Sequence, residues 1–183
     1  MKNIQRERIL DSYLKVDKLI LTRKNDKTFT RDLVVREDAV CAIVQLIRPG
    51  KYDSYLFTKQ WRPGALDNVI ELVAGTCDVE GEPKEECIKR EIIEELGYKT
   101  TYVEEIVSDF YVSPGYTTEK MTIFFCQVKE EDKVSEGGGI GNENIEVIEM
   151  TEQEVLDHYT NERFNDAKTI IGLMKYFQFK FGS

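Results

Sequence analysis

The stretch AGTCDVEGEPKEECIKREIIEELGY, residues 74–98, decides how the rest of the chain is read. A helix is predicted to begin near Pro83, because the proline ring pre-sets the first-turn φ and the N–H it lacks has no intrahelical partner there. Glu85 and Glu86 put negative charge at the positive end of the helix dipole. Gly97, directly after Leu96, suits the left-handed residue that stops a helix. Two stripes run between these ends. Ile88, Ile92 and Leu96 recur at i, i+4, i+8 and form an apolar face, while Glu91, Glu94 and Glu95 recur at i, i+3, i+4 beside it.

Three carboxylates on one helical face repel one another. They are tolerable if solvated, or if a divalent cation sits among them. A hard cation such as Mg²⁺ takes oxygen ligands and shares its shell with substrate phosphates. On its own a glutamate cluster is most often a wet surface. The loop–helix–glycine punctuation and the Ala74-Gly75 pair ahead of it favour the metal.

Outward from this helix, the chain reads as strands. Ile9 to Arg36 carries two or three, with Lys24-Asn25-Asp26-Lys27 as a turn and Phe29 to Val35 as the returning strand. Ala39 to Ile47 is too apolar for an edge and predicts a buried strand. Tyr55 to Gln60, Val69 to Val73, Tyr102 to Val112, Met121 to Val128 and Ile145 to Met150 follow. Ser113-Pro114-Gly115-Tyr116 is a loop, and Glu130 to Asn144 reads as a polar loop carrying Gly137-Gly138-Gly139. Thr151 with Glu154 has the form of a capping box, and Asn165 or Asp166 can cap a last helix. Strands interleaved with three helices predict an α+β fold in which helices cover both faces of a sheet.

The 183 residues suit about one domain with a real core. A net charge of −9 argues against a nucleic-acid or anionic-membrane surface. It leaves room for a phosphorylated small molecule, because a bound metal inverts the local field. Cys41, Cys77, Cys87 and Cys126 show no CxxC pairing and no zinc spacing, which fits reduced thiols. The start MKNIQRERIL lacks the apolar core of a signal peptide, and no apolar run reaches membrane-spanning length. The expectation is a cytoplasmic protein with no membrane and no nucleic-acid partner.

Glu82, Arg90, Glu91, Ile92, Glu94, Glu95, Gly97 and Tyr98 fall in register with G-x5-E-x7-R-E-U-x-E-E-x-G-U, where U is aliphatic or aromatic. In these residues the chain resembles the Nudix family. One position departs. Six residues, not five, separate Gly75 from Glu82, and Thr76 takes the strict glycine place. The extra residue falls between Cys77 and Gly81, where Glu80-Gly81 is turn chemistry and a loop absorbs it cheaply. The helix register is untouched. Further along, Arg62, the Ser113-Pro114-Gly115 loop with Glu119, the triglycine loop with Glu143, and Asp166-Ala167-Lys168-Thr169 are similar to the ADP-ribose and nucleotide-sugar pyrophosphatase branch. The likeness covers nearly the full length.

The resemblance implies a Nudix helix–sheet–helix sandwich with a mixed β-sheet and an N-terminal β segment. Residues 1–36 would be a dimerising strand region and 37–183 the hydrolase domain. It implies Mg²⁺, with Mn²⁺ as a substitute, and hydrolysis of the pyrophosphate bond of a nucleoside diphosphate sugar. GDP-mannose, giving GMP and mannose 1-phosphate, comes first, with ADP-ribose as the alternative substrate. A non-catalytic nucleotide-sugar sensor ranks lower, because such modules lose box glutamates and here all three stand.

By the same resemblance, the Ala74 carbonyl and the carboxylates of Glu91, Glu94, Glu95 and Glu143 hold metal. Glu95, Glu119 and Glu143 take part in catalysis, with Glu119 or Glu143 as base. Tyr13 flanks the nucleobase. Thr30, Arg31 and Asp32 contact nucleotide from the partner of a homodimer that exchanges N-terminal strands. Arg62, Gly75, Glu119, Asn142 and Lys168 bind the remainder of the substrate, Arg62 through the bidentate fork that suits phosphate. Arg90 pairs with Glu82 or Glu94 inside the box. His158, the only histidine, lies in another helix and offers neither base nor zinc ligand.

Overall fold

A computed structural model describes residues 1–141 and 144–182. Two compact units emerge, one of residues 1–39 and 109–121, the other of 40–108 and 122–183.

The first unit is built on an antiparallel sheet of three strands in sequence order, β1 (Asn3–Asp11), β2 (Lys15–Thr22) and β3 (Thr28–Val35). The sequence predicts a strand only from Ile9, yet β1 starts at Asn3, because ladder bonds to β2 from Asn3–Thr22 onward extend it through polar NIQRER. Every residue of β1 is exposed. Asp17 on β2 is the buried charge of this unit. The guanidinium groups of Arg6 and Arg8, both on β1, hydrogen-bond its two carboxylate oxygens and hold it below the ordinary range against the opposing effect of burial. The 113–119 loop is laced to the end of β3: Val34 N–H donates to the Tyr116 carbonyl at 2.7 Å, and Thr118 N–H to the Val34 carbonyl at 3.0 Å.

The second unit holds all or most of β4 (Ala39–Ile47), β5 (Ser54–Arg62), β6 (Asp67–Glu71), β7 (Val73–Thr76), β8 (Tyr98–Tyr111), β9 (Lys120–Lys133) and β10 (Glu146–Thr151). They form a mixed sheet ordered β10-β5-β4-β9-β8, with β6 pairing β5 and β7 pairing β4. Helices α1 (Lys84–Glu91), α2 (Glu152–Thr160) and α3 (Ala167–Phe181) complete it. β4 is buried at all but its last position. Its alternate residues Val40, Ala42, Val44 and Leu46 cluster with Cys87, Ile88, Ile92 and Leu96 of the box helix. The other face meets α3 at Gly172, where an added Cβ would come within 2.8 Å of Leu72 and 3.8 Å of Ile43. The sheet is thus covered on both faces, the α+β helix–sheet–helix layering expected from the sequence.

β9 runs to Lys133 and takes in the first four residues of the Glu130 to Asn144 segment read as a loop. Among the described residues no helix is long and apolar enough to cross a membrane.

Candidate active site

Pro83 sits in the cap position with extended geometry, and the box helix begins one residue later at Lys84. From Ile92 to Leu96 the helix widens into a π-helical segment, and Gly97 N–H reaches the Ile92 carbonyl five residues back at 3.1 Å. Gly97 closes it at φ 82°, φ > 0 as a C′ glycine should be. The i, i+4, i+8 stripe of Ile88, Ile92 and Leu96 is fully buried. Glu91 and Glu95 are both buried, while Glu94 stays half-buried.

The backbone of β7 lies beside these two carboxylates. Ala74 N–H donates to Glu95 Oε2 at 3.3 Å. At Gly75 an added Cβ would fall 1.9 Å from Glu91 Cδ, so the Glu91 carboxyl occupies the space that any other residue would fill. Arg90 ties the cluster together. Its guanidinium donates to both Glu82 oxygens at 3.2 Å, to Glu91 at 2.7 Å and to Glu94 at 3.3 Å. The hydrogen bonds from Arg90 hold Glu82 below the ordinary carboxylate range, against partial desolvation. This is the pairing expected within the box, extended to Glu91.

The triglycine loop packs on the end of this helix. Gly138 N–H caps the Glu95 carbonyl at 2.9 Å and Gly139 N–H the Glu94 carbonyl at 3.1 Å. Two carbonyls that the helix leaves unpaired are satisfied in this way. A Cβ at Gly137 would meet the Glu95 carbonyl oxygen at 2.3 Å. Asn142 and Glu143, expected on this loop as substrate-binding and metal-binding or catalytic residues, lie outside the described residues.

Arg62 and Lys168, expected to bind substrate, do not stand alone. Both grip Glu71, a residue absent from the expectations. Arg62 Nε and Nη2 donate to its two oxygens at 2.7 and 2.6 Å, Lys168 adds a third bond, and Lys168 also pairs with Asp166 at 3.0 Å. Burial pushes the Glu71 carboxyl up, but the two cations outweigh it and the net shift is downward. The charge of Glu95 reaches Arg62 and adds to the elevation of its pKa that Glu71 begins. A signal was available in the sequence: Glu71 interrupts the apolar run Val69-Ile70-Glu71-Leu72-Val73.

The remaining expected residues belong to the first unit. Tyr13 is 90% exposed in the β1–β2 turn, with the Arg36 guanidinium 6.0 Å from its ring centre. Arg36 also pairs with Glu119 at 3.8 Å. Thr30, Arg31 and Asp32 are exposed on β3, with Arg31 lying over the Phe29 ring at 5.0 Å. His158 bonds the Glu154 carbonyl within α2 at 3.0 Å, a local helix contact.

The donor set around β7 is all oxygen, two buried carboxylates beside a backbone made bare by Gly75, and it fits a hard divalent cation. Among the described residues no three carboxylate, thiol or imidazole side chains converge to ligating distance, Arg90 being the bridge between Glu91 and Glu94.

A family model described as the NUDIX domain matches residues 36–170. Over 166 residues the chain is 33% identical to the GDP-mannose pyrophosphatase of Cronobacter sakazakii, covering 87% of this chain and 84% of that protein. It is 31% identical over 162 residues to the GDP-mannose pyrophosphatase of Salmonella arizonae, covering 85% and 82%. A solved structure described as an ADP compounds hydrolase superposes at a TM-score of 0.78 over 99% of this chain and 96% of that one. Its 17% identity makes this a likeness of fold alone. With about three quarters of its length matched by the family model and the box residues Glu91 and Glu95 held beside β7, the chain belongs to the Nudix family of pyrophosphohydrolases.

Proposed function

We propose that this protein hydrolyses the pyrophosphate bond of a nucleoside diphosphate sugar with Mg²⁺, GDP-mannose first, releasing GMP and mannose 1-phosphate in the cytoplasm. The observation that carries the chemistry is the burial of Glu91 and Glu95 against the Ala74-Gly75 backbone, in the space left by the missing Cβ of Gly75. The choice of sugar nucleotide is supported by the two relatives named GDP-mannose pyrophosphatase.

A pyrophosphate repels a water nucleophile through its own charge, and bound Mg²⁺ supplies neutralisation and a more acidic water. Glu91, Glu95 and the Ala74 carbonyl would hold it, with Glu94 and Glu143 as further ligands. Arg90 fixes the directions of Glu82, Glu91 and Glu94 before any ligand arrives, and such preorganisation is what phosphoryl chemistry rewards. Arg62 and Lys168, oriented by Glu71, would turn their remaining N–H groups to phosphate or sugar. Glu119 or Glu143 takes the proton from the attacking water. Tyr13 would flank the nucleobase, and the Thr30-Arg31-Asp32 strand would contact nucleotide in the other copy of the homodimer.

The homodimer remains part of this reading. It is supported by β1, an edge strand exposed along its whole length with Ile4, Ile9 and Leu10 on the surface. Light scattering of the purified protein measures it, and a monomer at micromolar concentration would remove it.

The decisive experiment is product release from GDP-mannose, ADP-ribose, UDP-glucose and ADP-glucose, with Mg²⁺ and with EDTA. The expected result is Mg²⁺-dependent turnover, highest on GDP-mannose. Preference for ADP-ribose would keep the chemistry and overturn the substrate. No turnover on any of the four by a folded protein would overturn the reading.

A further inference from the structure

Two thiols lie beside the loop that leads into the box helix. Cys77 lies just after β7 and is partly exposed, whereas Cys87 on α1 is fully buried one turn before Glu91. Cys77 packs against the apolar cluster that contains Cys87. The Cys87 thiol also approaches the carbonyl of Thr76, the residue next to Cys77, at 3.7 Å, and Arg90 Nη2 lies 3.5 Å from its sulfur. No disulfide is present among the described residues. The hydrolysis proposed above uses neither sulfur.

We infer that Cys77 and Cys87 are an oxidisable pair that closes to an intramolecular disulfide with hydrogen peroxide. With the Cys87 sulfur 3.7 Å from the carbonyl of the residue bonded to Cys77, side-chain rotation can bring the two sulfurs toward the about 2.05 Å of a disulfide. Cys77 is the solvent-reachable member and reacts first. Its sulfur takes one peroxide oxygen as the O–O bond breaks, giving a sulfenic acid and one water. The Cys87 sulfur then attacks that sulfur, the S–S bond forms, and the hydroxyl leaves with the Cys87 proton as a second water. Two thiols are oxidised, one peroxide is reduced, and the atoms balance. Cys41 and Cys126 are buried and serve as internal controls. The closed ring spans residues 77–87. It therefore includes Glu82 and the additional box-loop residue, and it fastens that loop to the helix that carries Arg90.

The test is peroxide treatment of the full chain, read by intact mass, thiol titration and a non-reducing tryptic map. The oxidised protein should be two hydrogens lighter, fall from four titratable thiols to two, and join the peptide 60–84 to 85–89. Dithiothreitol should restore it. Cys77→Ser, at a partly exposed position, should keep all of its remaining thiols after mild treatment. Four thiols persisting in the wild type, a bridge through Cys41 or Cys126, a bridge between chains, or Cys77 passing to sulfinic acid without bridging would each overturn the inference. None of these readouts depends on turnover, so the pair stands or falls separately from the hydrolase reading.

Discussion

Gly75 and Glu91 share one space: a Cβ built on Gly75 would lie 1.9 Å from the Glu91 carboxyl carbon and 2.1 Å from Oε1. The glycine is there for lack of a side chain, since its φ lies outside the left-handed region. Gly75→Ala should therefore fold, because the obstructing atoms are the end of a side chain. Glu91 must move off the β7 backbone. We expect Mn²⁺ binding, followed by electron paramagnetic resonance, to weaken about 10- to 100-fold, as when a ligand loses its positioning partner. Unchanged affinity would separate Gly75 from the metal site.

Glu95→Gln retains shape and can still accept the Ala74 N–H bond, seen at 3.3 Å. Its loss of charge should leave the circular dichroism spectrum intact and lower Mg²⁺-dependent turnover by at least about 10- to 100-fold, the range for loss of a group that supports a metal site. Wild-type kcat in a folded Glu95→Gln protein would sink the assignment of this carboxylate.

Glu71 predicts a pH dependence of stability. Its folded pKa lies below the ordinary value, because Arg62 and Lys168 overcome the opposing effect of burial. A depressed carboxylate stabilises the fold at pH above its unfolded value, near 4.3, and loses that contribution as pH falls through its folded value. Urea midpoints should drop below about pH 4.3, and less steeply in Glu71→Gln. At pH 7 that variant should lose about 2 kcal/mol, less than for a fully buried pair because Arg62 is partly exposed. It should also raise KM more than it lowers kcat, since Arg62 and Lys168 lose their orientation.

Gly97 combines two constraints. Its φ is +82°, and a Cβ there would meet the Ser135 carbonyl oxygen at 2.2 Å. Gly97→Ala should destabilise by about 3 kcal/mol, from left-handed strain plus the clash with backbone. For a chain of this size that is a fall in Tm of about 10 °C by calorimetry. A Tm within 2 °C of wild type would show that the triglycine loop does not hold this contact.

Much of the fold and the box was legible because the relevant physics is local. The stripe at Ile88, Ile92 and Leu96, the stop at Gly97 and the Thr151–Glu154 capping box all rest on spacing along one helix. The N-terminal strand was legible only in part. NIQRER carries no apolar alternation, and what makes it a strand is its ladder with β2 together with the pairing of Arg6 and Arg8 to Asp17. The Glu71 hub was missed for a similar reason. Glu71 lies nine residues from Arg62 across the β5–β6 pairing but 97 from Lys168, and only the meeting of these strands with the start of α3 brings the three together.

The sequence by itself determined the family, the layering and the carboxylates of the box, because helical periodicity and turn chemistry act over a few residues. Tertiary structure decided how those carboxylates are held. The π-helical segment in which Glu95 lies buried, the Glu91 carboxyl in the space beside Gly75, the Gly138 and Gly139 caps on the helix end, and the approach of the Cys87 sulfur to the Thr76 carbonyl all depend on segments distant in sequence or on backbone hydrogen bonds that no residue spacing encodes.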